Sequence, residues 1–368
     1  MRRRLVGWVL PSVDSRSSKR RTEVPYVWAS TCNRTSVAIP VRLARKWSRR
    51  SLMPSSHSAQ RIVGVCGIVA DAMIELMIAR LRAEGIEHLF LDMRTFGKEW
   101  CISWSDRGEK TIQFQDRALP VSAFSGIYAR FVGFEEFDGA EGLTKGERNT
   151  ANAECQTILT MFLDALDTLV VSRAGDSISN DSKPYQLQVI RRSGLLSPRT
   201  LVTSDPEAAR AFFEECDRRV VFKSASGVRS IVQRLDERKL RQLTRIRYGP
   251  ALFQEYVAGV DIRVHTVGDR VFATEITSEA TDYRYATRSG HTAKLRATEI
   301  PFHIEAACLK LARGFGLPLS GIDLRRTDDG RYYCFEVNPS PAFLYYEREG
   351  KQPISKAVVD LLVAGLPR

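Results

Sequence analysis

Asp323, Glu336 and Asn338 are the residues of this chain whose types and spacing most directly suggest chemistry. They lie in two short apolar runs, Gly321-Ile322-Asp323-Leu324-Arg325 and Phe335-Glu336-Val337-Asn338-Pro339-Ser340-Pro341. Side chains on a strand alternate between faces. Asp323 and Arg325 are therefore expected on one face, with Glu336 and Asn338 on one face of the second strand. By the same alternation Phe335 and Val337 should point the other way. Asp329-Gly330 between the runs is a hairpin signal. With these as the two turn residues, Asp328 pairs with Arg331, and Asp323 falls opposite Glu336. Cross-strand partners hold their Cβ atoms roughly 5 Å apart. Two carboxylates so placed repel each other unless a cation joins them. Mg²⁺ takes one or two carboxylate oxygens at about 2.1 Å and keeps phosphate and water ligands.

Upstream, Lys183-Pro184-Tyr185-Gln186 opens a helix running to about Arg192, and Gly194 ends it. Pro198–Val202 is read as a strand, and Asp205–Cys216 as a helix with Pro206 in its first turn. Val220-Val221-Phe222-Lys223 reads as a strand leading into Ser224-Ala225-Ser226-Gly227-Val228-Arg229-Ser230. Small residues between strands leave backbone N–H groups accessible, and such nests hold phosphates. Ala251–Val257 is another strand, containing Gln254, Glu255, Tyr256 and Val257. In Asp261-Ile262-Arg263-Val264-His265 the polar residues share a face, and His265 is read as structural. Val271–Thr277 pairs back on it. Residues 278–299 form a long polar segment containing Tyr283-Arg284-Tyr285. The stripe Ile304/Ala307/Cys308/Leu311 in a helix over Pro301–Gly316 is read as core.

These elements require a scaffold before them. Arg61–Ala70 is a buried-strand pattern, Asp71 can cap a helix over Ala72–Ala83, and Ile86–Leu91 is the next strand. A β-α-β opening predicts a small α/β domain. Gly64 and Gly67 do not make a dinucleotide fingerprint. Trp100–Trp104 and Thr111–Phe114 pair as a hairpin, Gly126–Phe131 is a strand with Arg130 near its end, residues 150–168 form a helix, and Leu169–Ser172 is a strand. Arg130 is a candidate carboxylate contact. Ile354–Leu366 is a final amphipathic helix.

The net charge of +12 in 368 residues is unevenly placed. Residues 1–60 hold 13 Lys/Arg against 2 Asp/Glu, a charge of +11, so the remainder carries +1. A nucleic-acid partner would have to use that leader alone, and none is expected. The leader is Ser/Arg-rich and reads as disordered. Met53 stands just before the first good strand and offers an alternative start. The seven cysteines form no CxxC pair, which fits buried thiols in a reducing cytoplasm. No apolar run approaches the roughly 20 residues that cross a membrane.

Taken in order, Lys183, Lys223 before its loop, Gln254-Glu255-Tyr256-Val257, Asp261-x-Arg263, Asp323 and Glu336-x-Asn338 resemble the ATP-grasp fold. The likeness is to RimK-like ligases and the related graspetide (microviridin-type) macrocyclases, and it covers about residues 180–350. It implies a small α/β domain over 61–178, followed by a two-lobed ATP-grasp domain over 179–368 with lobes at about 197–257 and 258–368. The resemblance further implies ATP as nucleotide, with Lys183 and Lys223 on its phosphates and Ser226 and Gly227 closing over them by backbone. Gln254, Glu255, Tyr256 and Val257 would form the hinge against adenine, and Asp261 would accept from ribose. Asp323, Glu336 and Asn338 would hold Mg²⁺, or Mn²⁺ in its place. Arg263, Arg284 and Arg325 are the candidate catalytic cations.

The implied reaction activates a carboxylate as an acylphosphate and passes it to an amine. The acceptor could be an amino acid, a peptide or a protein side chain. A peptide macrocyclase and a non-catalytic ATP-binding regulator remain as alternatives, and a homo-oligomer is compatible with all three.

Overall fold

A computed structural model describes residues 61–131, 142–176, 182–225, 232–278 and 293–365. The sequence candidates Ser226, Gly227 and Arg284 lie outside the described residues.

The first layer is a parallel sheet. Strand β1 (Ile62–Gly67) is buried on both faces, so it reads as a continuous apolar run. Helix α1 (Ala72–Ala83) follows, capped by Asp71, whose carboxylate accepts from the Met73 and Ile74 N–H groups. After β2 (His88–Asp92) the chain makes an antiparallel meander of β3 (Trp100–Trp104), β4 (Lys110–Phe114) and β5 (Arg117–Pro120). It returns through β6 (Phe124–Ala129), α2 (Lys145–Asp164) and β7 (Leu169–Val171) to complete the parallel order β2-β1-β6-β7. Helix α2 begins five residues before the sequence expectation. A capping box between Thr144 and Glu147 satisfies the first-turn N–H groups there.

Helix α3 (Lys183–Ser193) leads into a second sheet, with β8 (Thr200–Thr203), helix α4 (Pro206–Glu215), β9 (Val220–Ser224), β10 (Gln233–Arg234), a short α5 (Glu237–Leu240) and β11 (Ala251–Glu255). Its order is β10-β9-β11-β8, antiparallel throughout. Phe212 and Phe213 of α4 pack on Phe253 and Val220 to form its core.

The third sheet has the order β14-β13-β12-β15-β16. It comprises β12 (Val260–Val267), β13 (Arg270–Ser278), β14 (Ala293–Thr298), β15 (Leu319–Arg326) and β16 (Tyr332–Asn338). Helix α6 (Phe302–Gly314) covers one face. The Ile304/Ala307/Cys308/Leu311 stripe is buried against Ile262, Val264, Ile322 and Val337, as its spacing predicted. The polar stretch 278–299 is corrected in part. Ala293–Thr298 is an edge strand paired with β13. Exposed Lys294 and Arg296 flank half-buried Leu295, a composition that suits an edge facing water.

Two helices close the chain, α7 (Leu344–Gly350) and α8 (Ile354–Ala364). Helix α8 packs on the parallel sheet that the chain built first. Ala357, Val358, Val359 and Leu362 join Val63, Val65, Tyr128 and Val171 in one core, and α2 covers the opposite face. Gly126 permits this docking. A Cβ there would meet the Leu362 carbonyl oxygen at 2.9 Å and its Cα at 3.0 Å. Both are backbone atoms, so the helix would have to move. Gly126→Val is expected to destabilise the protein by about 1–3 kcal/mol, the usual cost of overpacking, read as a lower urea midpoint.

Candidate active site

The cleft between the second and third sheets gathers most of the described sequence candidates. Its lining includes Lys223, Gln254, Glu255, Tyr256, Val257, Asp261, Asp323, Arg325 and Glu336. Val221, Leu324 and Phe335 add apolar surface. One end is charged by Lys223, Asp323 and Glu336, and the other, beside the Glu255–Val257 connection, combines the Asp261–Arg325 pair with this apolar surface.

At the charged end Asp323 pairs directly with Glu336, and Gly321 with Asn338. The expected opposition of the two carboxylates is present, but a different backbone produces it. The turn is not the two-residue Asp329-Gly330 turn. Thr327 N–H donates to the Arg331 carbonyl at 2.9 Å, closing a three-residue loop of Asp328, Asp329 and Gly330. That shifts the register by one, so Leu324 pairs with Cys334. A bulge at Phe335 then restores it. Phe335 consequently lies in the cleft beside Glu336, and the expectation that it faces away with Val337 is corrected. Val337 remains fully buried on the other side.

Four basic side chains converge on three carboxylates. Glu336 Oε2 accepts from Lys183 Nζ at 3.1 Å and from Lys223 Nζ at 3.4 Å. Lys183 approaches from α3 and Lys223 from β9, so the carboxylate joins three elements. Arg263, directly opposite Asp323 on β12, donates through Nη1 to Asp323 Oδ1 at 2.6 Å. Its guanidinium lies over Gly321, where any Cβ would overlap it. The third pair joins Arg325 to Asp261, with Nε to Oδ1 at 2.7 Å. Arg325 Nη1 also donates to the Val257 carbonyl at 2.9 Å, and the guanidinium stacks on Phe335 at 5.3 Å. Arg325 thus serves the hinge end of the cleft and is not paired with Asp323.

At the hinge, the Glu255 N–H donates to the Arg199 carbonyl and the Tyr256 N–H to the Arg219 carbonyl. These two N–H groups therefore fix the connection to the second sheet. Gln254 is buried, and its amide donates to the Thr200 hydroxyl at 3.0 Å. His265 is fully buried against the edges of Phe343 and Tyr346. Burial, then the Arg263 charge, holds its imidazole well below the usual histidine range, so it is neutral. This suits a packing residue.

The donor set fits a hard cation. Among the described residues no cluster of three or more His, Cys, Asp or Glu could hold a metal. Two facing carboxylates and one amide oxygen would leave the remaining positions to phosphate and water, as Mg²⁺ prefers. Asn338 Oδ1 accepts from the Ser340 N–H at 2.9 Å, and a carbonyl oxygen retains a second lone pair. Away from the cleft, burial, then the Asp92 charge, pushes the Cys66 thiol up to about 12. Burial, then Glu305, does the same to Cys308.

Gln186 is a site residue that sequence reasoning missed. Its amide donates to the Val337 carbonyl at 2.8 Å and accepts from the Val337 N–H at 3.2 Å. β16 is the sheet edge, and this side chain substitutes there for a neighbouring strand. The signal was present in the spacing. Lys183, Gln186 and Ile190 are all buried at helical intervals, so Gln186 had to face the same strand as Lys183.

The parallel sheet and the two antiparallel sheets that follow it, with a charged cleft between the latter two, make the architecture of an ATP-grasp protein. Residues 180–362 match the RimK-like ATP-grasp domain, and this stretch of the chain belongs to that family. The chain is 26% identical over 208 residues to the alpha-aminoadipate–LysW ligase LysX of Sulfurisphaera tokodaii, covering 54% of this chain and 72% of that one. It is 26% identical over 218 residues to human N-acetylaspartylglutamate synthase A, covering 56% and 55%. Among solved structures it resembles the ATP-grasp ligase PsnB complexed with a minimal precursor variant, Mg and ADP, at TM-score 0.69 and 27% identity, covering 83% and 99%. It also resembles the macrocyclase MdnC of Microcystis aeruginosa bound with the precursor peptide MdnA, at TM-score 0.69 and 25% identity, covering 82% and 99%. Among the described residues no helix is long and apolar enough to cross a membrane.

Gln186→Leu orphans both the Val337 N–H and its carbonyl. Each buried unsatisfied group costs about 1–3 kcal/mol, so a fall in the denaturant midpoint of that order is expected.

Proposed function

We propose that this protein is an ATP- and Mg²⁺-dependent ligase that activates a carboxylate and joins it to an amine. The observation that carries this reading is the pairing of Asp323 with Glu336 where Lys183 and Lys223 converge. A facing carboxylate pair with two nearly buried lysines matches the needs of a metal-bound polyphosphate. The lysines act as compact point charges on phosphate oxygens. Asp323, Glu336 and Asn338 would hold the cation, which when bound would supply charge neutralisation to the phosphates. Val221, Leu324 and Phe335 enclose the base, and Asp261, held by Arg325, accepts from ribose.

A substrate carboxylate oxygen attacks the γ-phosphorus and ADP leaves, giving an acylphosphate. The amine nitrogen attacks the acyl carbon, inorganic phosphate departs, and a proton is released. Both steps gather negative charge on phosphoryl and carbonyl oxygens, so positioning and fixed cations supply most of the catalysis. Arg263 is assigned that role, and Arg284 a supporting one by family likeness.

A peptide carboxylate as substrate, with macrocyclisation as outcome, is the second reading. It is favoured by the coverage of the solved peptide-bound ligases, which extends over 82–83% of this chain. The described cysteines are free thiols, in keeping with a reducing cytoplasm.

Incubation with ATP, Mg²⁺ and pools of amino acids or acidic peptides, with ADP and phosphate release followed, tests the proposal. Acceptor-stimulated ADP release supports it, and absence of ATP binding removes it. ATP binding without stimulated turnover would leave a regulatory nucleotide-binding protein. Asp323→Asn is expected to abolish Mg²⁺-dependent ADP formation with the circular dichroism spectrum unchanged. Gly321→Ala, which displaces the Arg263 guanidinium, should lower turnover about 10²-fold, as loss of one transition-state donor does, while nucleotide still binds.

A further inference from the structure

Open parallel sheets bind ligands outside the carboxyl ends of their strands, where the strand order reverses. In the order β2-β1-β6-β7 that point lies between β1 and β6. Asp71 follows β1, Arg130 follows β6 and Ser172 follows β7. Ser172 and Arg130 grip the segment immediately after the candidate metal ligand Asn338, and Asp71 anchors Arg130.

Ser172 Oγ donates to the Pro339 carbonyl at 3.2 Å. Arg130 Nη1 donates to the Ser340 carbonyl at 3.1 Å and to its hydroxyl at 3.2 Å. Arg130 Nε is anchored on Asp71 Oδ2 at 2.9 Å, and the other Asp71 oxygen caps α1. The Ser340 N–H in turn donates to Asn338 Oδ1, the oxygen available to a cation. Pro339 and Pro341 fix φ on either side of Ser340, so a displacement at Ser340 is carried along the chain. The Arg130 and Asp71 side chains are only 14% and 12% exposed, well sheltered from screening by water. Ser172 is itself buried with φ at 63, a conformation that costs a non-glycine residue energy. Such residues persist where their surroundings over-determine them.

We propose that Arg130 and Ser172 are positioning residues for the metal centre. The ligand crevice of the parallel sheet is filled by the Asn338–Pro341 segment of the same chain, and this fixes where the Asn338 oxygen points. The role resembles that of outer partners that orient metal ligands, and it rests on the reading of Asn338 as a ligand. It also changes the status of Arg130, which becomes a holder of the protein's own loop and not a contact for substrate carboxylate.

The test is Mn²⁺ binding to the full chain with ADP present, followed by electron paramagnetic resonance of free Mn²⁺. ADP binding without metal and the melting temperature are measured in parallel. Arg130→Met and Ser172→Gly are both expected to weaken Mn²⁺ binding by roughly 10-fold or more, the usual effect of losing an outer partner. Metal-free ADP binding should be unchanged. Ser172→Gly should melt near wild type, because glycine adopts that φ freely and this offsets the orphaned Pro339 carbonyl. Wild-type Mn²⁺ affinity in Ser172→Gly overturns the proposal, even if Arg130→Met fails to fold. Absence of Mn²⁺ binding in the wild type with ADP overturns the metal-site reading, and the proposal with it.

Discussion

One extra residue in a strand sets the geometry on which the site depends. The loop between β15 and β16 holds three residues, and a regular ladder running out from it would place Phe335 opposite Asp323. The bulge at Phe335 moves Glu336 into that position while leaving Phe335 on the same side. One local irregularity therefore makes both ends of the cleft. It sets a carboxylate against Asp323 and gives the cleft an aromatic wall, on which Arg325 stacks. Strand alternation alone could not place both side chains on one face.

The charges around that ladder form a connected system. Two carboxylates held this close need cations, and the chain supplies them from every surrounding element. Lys183 belongs to α3, Lys223 to the second sheet and Arg263 to the third. Ion pairs with so little exposure constrain position more than they add stability. Here they tie helix α3 and the second sheet to Glu336 on β16, and β12 to Asp323 on β15. Gln186 completes the arrangement by satisfying the edge of that strand. The parallel sheet enters through Arg130 and Ser172, so a domain whose described residues lie outside the cleft lining still touches the segment beyond Asn338. Helix α8 reaches back over Gly126 and ties the end of the chain to that same sheet.

Much of this was legible in the sequence because it depends on local rules. Alternation identified β12, β15 and β16, helical spacing identified α6, and Asp71 marked the start of α1. The facing of Asp323 and Glu336 was also expected, though from a two-residue turn that is absent. The bulge was illegible, since Phe-Glu-Val-Asn reads as ordinary alternation and the irregularity is fixed by pairing with a distant strand. β14 was hidden because an edge strand facing water carries few apolar residues. The partners of Arg130, Arg325 and Gln186 were hidden for a third reason. Each side chain is separated from its hydrogen-bond partners by 59 residues or more, and only the folded topology brings them together.

What Asp323, Glu336 and Asn338 hold decides the chemistry of the cleft. The most direct measurement is anomalous scattering at the manganese edge, from a crystal grown with Mn²⁺ and a non-hydrolysable ATP analogue. The expected result is a peak ligated by oxygens of those three residues and of the phosphates, with Lys183 and Lys223 turned onto the phosphate chain. A bound nucleotide whose metal lies elsewhere, with Asp323 and Glu336 still held only by their arginine and lysine partners, would contradict it.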